Sequence, residues 1–298
     1  MSKILFNIFY AFLWLLTLLP LRILYLLSDF IFAIIFWVVR YRRKVVWNNL
    51  SNAFPEKSDK EKRRISRRFY RYLCDYFIET IKLMHISEKE ILSRVDYTDD
   101  YLSKKVKEGK NVVVMIGHNA NWEWLTAISL HGDYHWAAPY HPLRNSPHFD
   151  KFMRDLRSRF GAEPVPMNST YRRLMKINQS GKPFVVGMIA DQSPPNPRNR
   201  HWLTFLNQDT AVMEGSERIA QKTNASVVYC KMLKVSRGHY KIDIIPVTEK
   251  IEDEEDMFVT KRYYELLEAH IKEQPEYWLW SHRRWKRKRP QNKKEIKQ

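Results

Sequence analysis

The 298-residue chain is 44% hydrophobic and 14% aromatic, enough for the core of one large or two small domains and too much for wholesale disorder. Its 51 Lys+Arg against 33 Asp+Glu leave a formal charge of +18, so an anionic partner, nucleic acid or lipid, is the first expectation. None of the eight glycines has the spacing of G-x-G-x-x-G or a P-loop. The two cysteines, Cys74 and Cys230, exclude a disulfide scaffold or zinc motif and point to a reducing compartment.

Residues 4–39 are overwhelmingly apolar and aromatic, interrupted by Asn7, Pro20, Arg22 and Ser28–Asp29. About 20 apolar residues span a bilayer as a helix, so residues 1–40 read as one membrane anchor plus an apolar helix at the surface. The run is too long for a cleaved signal peptide, and no small-residue cleavage site comes after it. Arg40, Arg42, Arg43 and Lys44 come next, with only Lys3 before the run, so the positive-inside rule predicts a cytoplasmic location for the chain beyond residue 40. Residues 41–95 read as a basic helical segment. Ser58 to Glu61 is a capping box. Ile65, Phe69, Tyr72, Leu73, Tyr76, Phe77, Ile81 and Met84 form one stripe, opposite a basic face that is either solvated or in contact with lipid phosphate.

Residues 96–298 alternate strands with helices. Strands are predicted at Val112–Ile116, His135–Tyr140, Phe184–Ala190, Ser226–Leu233 and Lys241–Val247, with helices near 121–130, 147–160, 169–179, 214–223 and 256–273. This pattern predicts an α/β fold with a mixed, largely parallel sheet flanked by helices. Ligands gather outside the carboxyl ends of such strands, where His118, His141 and Asp191 fall. His118 and Glu123 form H-x4-E. A histidine with a pKa near ~6.5 takes a proton from a hydroxyl, and a carboxylate on its other nitrogen fixes the tautomer. The two side chains meet only if His118 lies in the turn before the helix. His131 and His135 read as structural. Ser193–Pro197 reads as a loop.

The block Gly117-His118-Asn119-Ala120-Asn121-Trp122-Glu123 resembles the signature of the bacterial lipid A biosynthesis acyltransferases, the late acyltransferases of the lysophospholipid-acyltransferase-like superfamily. Further blocks are similar, in order: Tyr140 to Asn145 with Asp150 and Arg157 to Gly161, then Ala190-Asp191-Gln192, Gly215 to Ala225, and Tyr277 to Lys286. The resemblance implies transfer of a fatty acyl chain from acyl carrier protein, or else coenzyme A, to a hydroxyl of a phosphorylated lipid A precursor at the inner membrane. It implies no metal and no resident cofactor. His118 is then the general base and Glu123 its orienting partner. Arg157 stabilises the oxyanion or binds phosphate, and Asp191 orients Arg157 or a substrate hydroxyl. Arg144 and His141 are substrate-binding candidates. His141 stands where many members have Arg, and Ser146–Pro147 replaces a simpler Asn-Pro, so another amphiphile, an aminolipid or lysophospholipid, is the alternative acceptor. A membrane-tethered binding protein would need neither His118 nor Glu123.

The charge is divided. Residues 40–71 carry twelve basic residues against three acidic, and residues 282–298 nine against one, leaving +1 elsewhere. Two basic segments beside an apolar anchor favour anionic lipid, phosphorylated glycolipid and an acidic carrier protein as partners, and no nucleic acid is expected. Trp278, Trp280 and Trp285 interleave the second segment and suit interfacial anchoring or carrier docking.

Overall fold

The computed structural model describes residues 3–98, 100–194 and 201–289, so the predicted loop past Pro194 and the tail past Arg289 lie outside it. The amino-terminal half is helical. Helix α1 (Lys3–Thr17) is followed by α2 (Leu21–Ala33), which continues as a π-helical stretch (Ile34–Val39). Leu21–Val39 is long and apolar enough to cross a bilayer by length and composition, the single such helix among the described residues.

Helix α3 (Arg43–Ala53) leads to α4 (Asp59–Lys82), whose start is the predicted capping box: Glu61 N–H donates to Ser58 Oγ (3.3 Å) and Ser58 N–H to Glu61 Oε2 (2.9 Å). The predicted stripe needs correction. Phe77 is 56% exposed, whereas Asp75 and Glu79 are buried. Those carboxylates are affordable because they are bonded, Asp75 to Arg237 and Ser28, Glu79 to Tyr25, Tyr240 and Asn121.

The remaining elements are α5 (Glu88–Arg94), β1 (Val95–Asp96), α6 (Tyr101–Lys107), β2 (Val112–Ile116), β3 (His135–Tyr140), α7 (Pro147–Arg157), β4 (Glu163–Pro166), α8 (Thr170–Gln179), β5 (Phe184–Ile189), β6 (Trp202–Phe205), β7 (Gln208–Ala211), α9 (Gly215–Thr223), β8 (Ser226–Ser236), β9 (His239–Thr248) and α10 (Phe258–Glu273). Seven strands form one sheet in the order β1-β9-β8-β2-β5-β3-β4, antiparallel only between β8 and β9. Strands β6 and β7 make a separate hairpin. The α/β class with a largely parallel sheet is as the sequence predicts. The stretch 121–130 departs from it and forms a 3-10 helix, Trp124–His131.

Strand β2 is buried on both faces, as a central parallel strand must be. Val113 and Met115 enter one core with residues of α3, α4, α9 and α10, while Val112, Val114 and Ile116 enter the other with residues of α1, α2 and α7. The amino-terminal helices therefore share the cores of the sheet. The tryptophans of the closing block do so too. Trp278 and Trp280 are buried rather than interfacial, and Arg284 is buried with bonds to the Ala211 carbonyl (2.7 Å) and Tyr264 Oη (2.8 Å).

His270 on α10 is buried, with Tyr229 Oη at 2.8 Å from Nδ1 and the Met232 carbonyl at 3.1 Å from Nε2. Burial pushes its pKa down to about 4. The unfolded ring protonates near ~6.5, so the neutral folded ring contributes stability above that pH. The contribution is lost as pH falls from there towards the folded value, on the order of 3 kcal/mol in all. Chemical denaturation of a His270→Gln variant should show a shallower loss of stability between pH 7 and 4 than the native chain. An unchanged slope would remove His270 from the acid response.

Candidate active site

Strand β2 delivers the chain to a loop, Gly117 to Glu123, held from three sides. Tyr263 Oη caps the last strand carbonyl, Ile116 (2.9 Å), and Tyr72 Oη bonds the Ala120 carbonyl (2.7 Å). Ala120 N–H donates to the Tyr277 carbonyl (2.9 Å), beside a bridge between Asn119 and Trp278. Ala120 has φ +50°, a left-handed backbone that these contacts stabilise. A Cβ on Gly117 would meet the side chains of Asn119 and Leu267, so glycine is required by close approach.

This clamp presents His118 to β5. Asp191, just beyond the end of β5, accepts from the His118 backbone N–H at Oδ2 (2.8 Å) and lies 2.5 Å from His118 Nδ1 through Oδ1. Trp278 Nε1 donates to the same Oδ2 (2.8 Å). Asp191 is 2% exposed. Burial pushes its carboxyl upward, but the His118 charge and the hydrogen bonds from His118 and Trp278 outweigh it and leave the carboxyl below its ordinary range. With Nδ1–H given to Asp191, Nε2 carries the lone pair, and the Gln192 amide nitrogen lies 3.0 Å from it. The ring stands edge-on to Trp122 (4.9 Å between centroids), itself stacked on Tyr76 (4.1 Å).

The carboxylate reaching His118 is thus Asp191 and not Glu123. Five residues past His118, Glu123 faces α7, where both its oxygens bind Arg157: Nε to Oε2 (2.8 Å) and Nη2 to Oε1 (2.6 Å). Burial pulls the guanidinium down, yet Glu123 more than offsets this and holds it above its ordinary value. The two bonds use two of five N–H donors. Asp191 bonds His118 and Trp278 and not Arg157, one of the two partners the resemblance implied for it. His141 and Arg144 lie on the loop between β3 and α7 with exposed side chains, apart from these hydrogen-bonded pairs.

Sequence reasoning misses Gln192 and Trp278, both within the quoted blocks. It also misses His282, whose Nε2 accepts from Ser193 N–H (3.3 Å); burial pushes its pKa down to about 4, so the ring is a neutral acceptor. Among the described residues no cluster of His, Cys, Asp and Glu is arranged to hold a metal ion. A surface depression of about 270 Å³, lined by His135, Arg173, Lys176 and Lys182, lies at the amino ends of the strands, away from His118.

An imidazole held by a buried carboxylate at strand ends, beside a salt-bridged arginine, is an arrangement able to take a proton from a hydroxyl in an α/β protein. The bacterial lipid A biosynthesis acyltransferase family matches residues 1–287, and the chain belongs to that family. It is by membership an acyltransferase of the lipid A type, with lipid substrates. Comparison with curated proteins gives no match to the chain.

Proposed function

We propose that the protein transfers a fatty acyl chain from acyl carrier protein to a hydroxyl of a phosphorylated lipid A precursor on the cytoplasmic side of the inner membrane. The observation that carries the mechanism is the short Nδ1 contact from His118 to Asp191, which leaves Nε2 as the base. The acceptor hydroxyl replaces the Gln192 amide at Nε2 and gives up its proton there. Its oxygen attacks the thioester carbonyl carbon, and the carbonyl π electrons move to oxygen to give a tetrahedral oxyanion. Collapse breaks the carbon–sulfur bond, and the proton on Nε2 passes to the departing thiolate. Asp191 stabilises the imidazolium between these steps. Arg157, with three N–H donors beyond those bound to Glu123, stabilises the oxyanion or holds a substrate phosphate.

The membrane-proximal basic residues 40–71 suit the phosphorylated acceptor and anionic headgroups, and an acidic carrier protein suits the same basic surface. His118→Ala should lower transfer from acyl carrier protein to detergent-solubilised acceptor at least about 10³-fold. Normal turnover would overturn the mechanism. Mass spectrometry of lipid A from cells lacking the protein should show one acyl chain missing. An intact lipid A with an altered aminolipid would transfer the assignment to that acceptor.

A further inference from the structure

The amino-terminal helices lie along the catalytic fold rather than projecting from it. On α1, Phe6 stacks on His148 (5.3 Å), Tyr10 meets Phe152 edge-on (6.0 Å) and Trp14 meets His85 (5.1 Å). Lys82 Nζ then bonds the Thr17 and Leu19 carbonyls (2.8 and 2.9 Å). Helix α2 runs antiparallel to α4 in the same manner. Tyr25 bonds Glu79 (2.8 Å), Ser28 bonds Asp75 (2.7 Å), Arg71 lies over Phe32 (5.2 Å) and Phe36 meets Tyr70 (5.4 Å). Arg237, from the β8–β9 turn, closes the array on Asp29 (2.9 Å) and Asp75 (2.6 Å). Each helix thus has one face in the fold from end to end.

The opposite faces are apolar and open. Ile4, Ile8, Phe12 and Leu15 succeed one another at helical spacing on α1 and are 59–74% exposed. Ile23, Leu26, Phe30, Ile34 and Trp37 do so along Leu21–Val39. Such a surface does not stay in water. A spanning helix, however, is surrounded by hydrocarbon or by other spanning elements along its whole length. Were α2 to cross, it would carry Asp29, Asp75 and Arg237, with α4 and the β8–β9 turn, into the bilayer. Helix α1, about 22 Å long at 1.5 Å per residue, is short of the ~30 Å hydrocarbon core.

We propose that α1 and α2 do not cross the membrane but lie in the plane of one leaflet, sinking their open faces among the acyl chains while the sheet stays in the aqueous phase. The occupant is an anionic leaflet. Arg22, Arg40, Arg42, Arg43 and Lys44 supply cations along the margin, and Trp14 and Trp37 are the aromatic residues that favour the headgroup boundary. The platform adjoins the site. Helix α1 packs on α7, which ends at Arg157, and α4 holds Tyr76 against Trp122. A lipid acceptor therefore approaches the Arg157–Glu123 pair from the leaflet without leaving it.

The inference rests on membrane association, not on acyl chemistry, and acyl transfer measured on the same proteins separates failure of one from failure of the other. The test places a nitroxide on Ile23→Cys, Phe30→Cys and Trp37→Cys in the full chain, bound to vesicles of phosphatidylethanolamine and phosphatidylglycerol. Immersion depth is then read by collision with oxygen and a polar nickel complex. The three positions should share a depth of about 5–10 Å. A profile with Phe30 near the bilayer centre, about 15 Å down, and the outer two near opposite surfaces would overturn it, as would three labels left in water. A second reading does not depend on those variants. Lys3→Cys and Leu18→Cys should stay unlabelled when intact spheroplasts meet a membrane-impermeant maleimide, with Lys3→Cys labelled in inverted vesicles. External labelling of Lys3→Cys would mean a single span, and of Leu18→Cys a spanning hairpin; either result ends the proposal.

Discussion

Asp191→Asn should retain the fold and lower acyl-transfer turnover by about 10³–10⁴-fold, with the acceptor KM close to that of the native chain. The hydrogen bonds dictate how the amide would sit. Two donors, the His118 N–H and Trp278 Nε1, converge on Oδ2, so the amide oxygen occupies that place and the NH₂ replaces Oδ1. An NH₂ facing Nδ1 obliges that nitrogen to accept. The imidazole proton then moves to Nε2, the atom proposed to receive the hydroxyl proton. The variant is well ordered but holds the wrong tautomer. Steady-state transfer to a detergent-solubilised acceptor measures the effect, and turnover within a few-fold of native would show that His118 is not the base.

Much of this site is legible in the sequence, and the departures have physical causes. The strands Val112–Ile116 and His135–Tyr140 have the predicted bounds because β-branched or aromatic runs with turn signals at both ends leave little choice. Strand β4, Glu-Pro-Val-Pro, does not read as a strand because proline argues against pairing. It is tolerated at the sheet edge, where an N–H is dispensable. Strand β1 has two residues, too few to leave a pattern. At the site, the pattern places both His118 and Asp191 at strand ends, but spacing gives the orienting role to Glu123, the carboxylate nearest in sequence. The actual partner is 73 residues away and reaches His118 because β2 and β5 are adjacent and parallel, with Ile116 opposite Ile189. Adjacency of strands is a tertiary fact that spacing along the chain does not encode. The tryptophans of the closing block depart from expectation for a related reason. Aromatic residues among arginines look interfacial in sequence, yet Trp278 and Trp280 fill the core and one of them fixes Asp191.

The Glu123–Arg157 pair carries the other large expectation, and here stability and activity separate. The Glu123 side chain is 4% exposed and that of Arg157 23%. Arg157→Ala strands a buried carboxylate and should destabilise the fold by about 3–5 kcal/mol. Glu123→Gln leaves the cation, which is nearer to solvent, and should be milder. In Glu123→Gln/Arg157→Ala the stranded charge is gone, so the double variant should be more stable than Arg157→Ala alone, a coupling that chemical denaturation of all four chains measures. Activity obeys a different rule. If Glu123 acts by aiming Arg157, each single variant loses transfer, and the double is no slower than Arg157→Ala, because once the guanidinium is absent nothing remains to be aimed. Losses that multiply would instead give Glu123 an independent role at the reacting atoms. Glu123→Gln should also leave the His118–Asp191 contact intact, since Glu123 bonds neither. A single chain thus gives two buried carboxylates two different partners, Asp191 an imidazole and Glu123 a guanidinium, and the four-variant cycle tests what the second pair does.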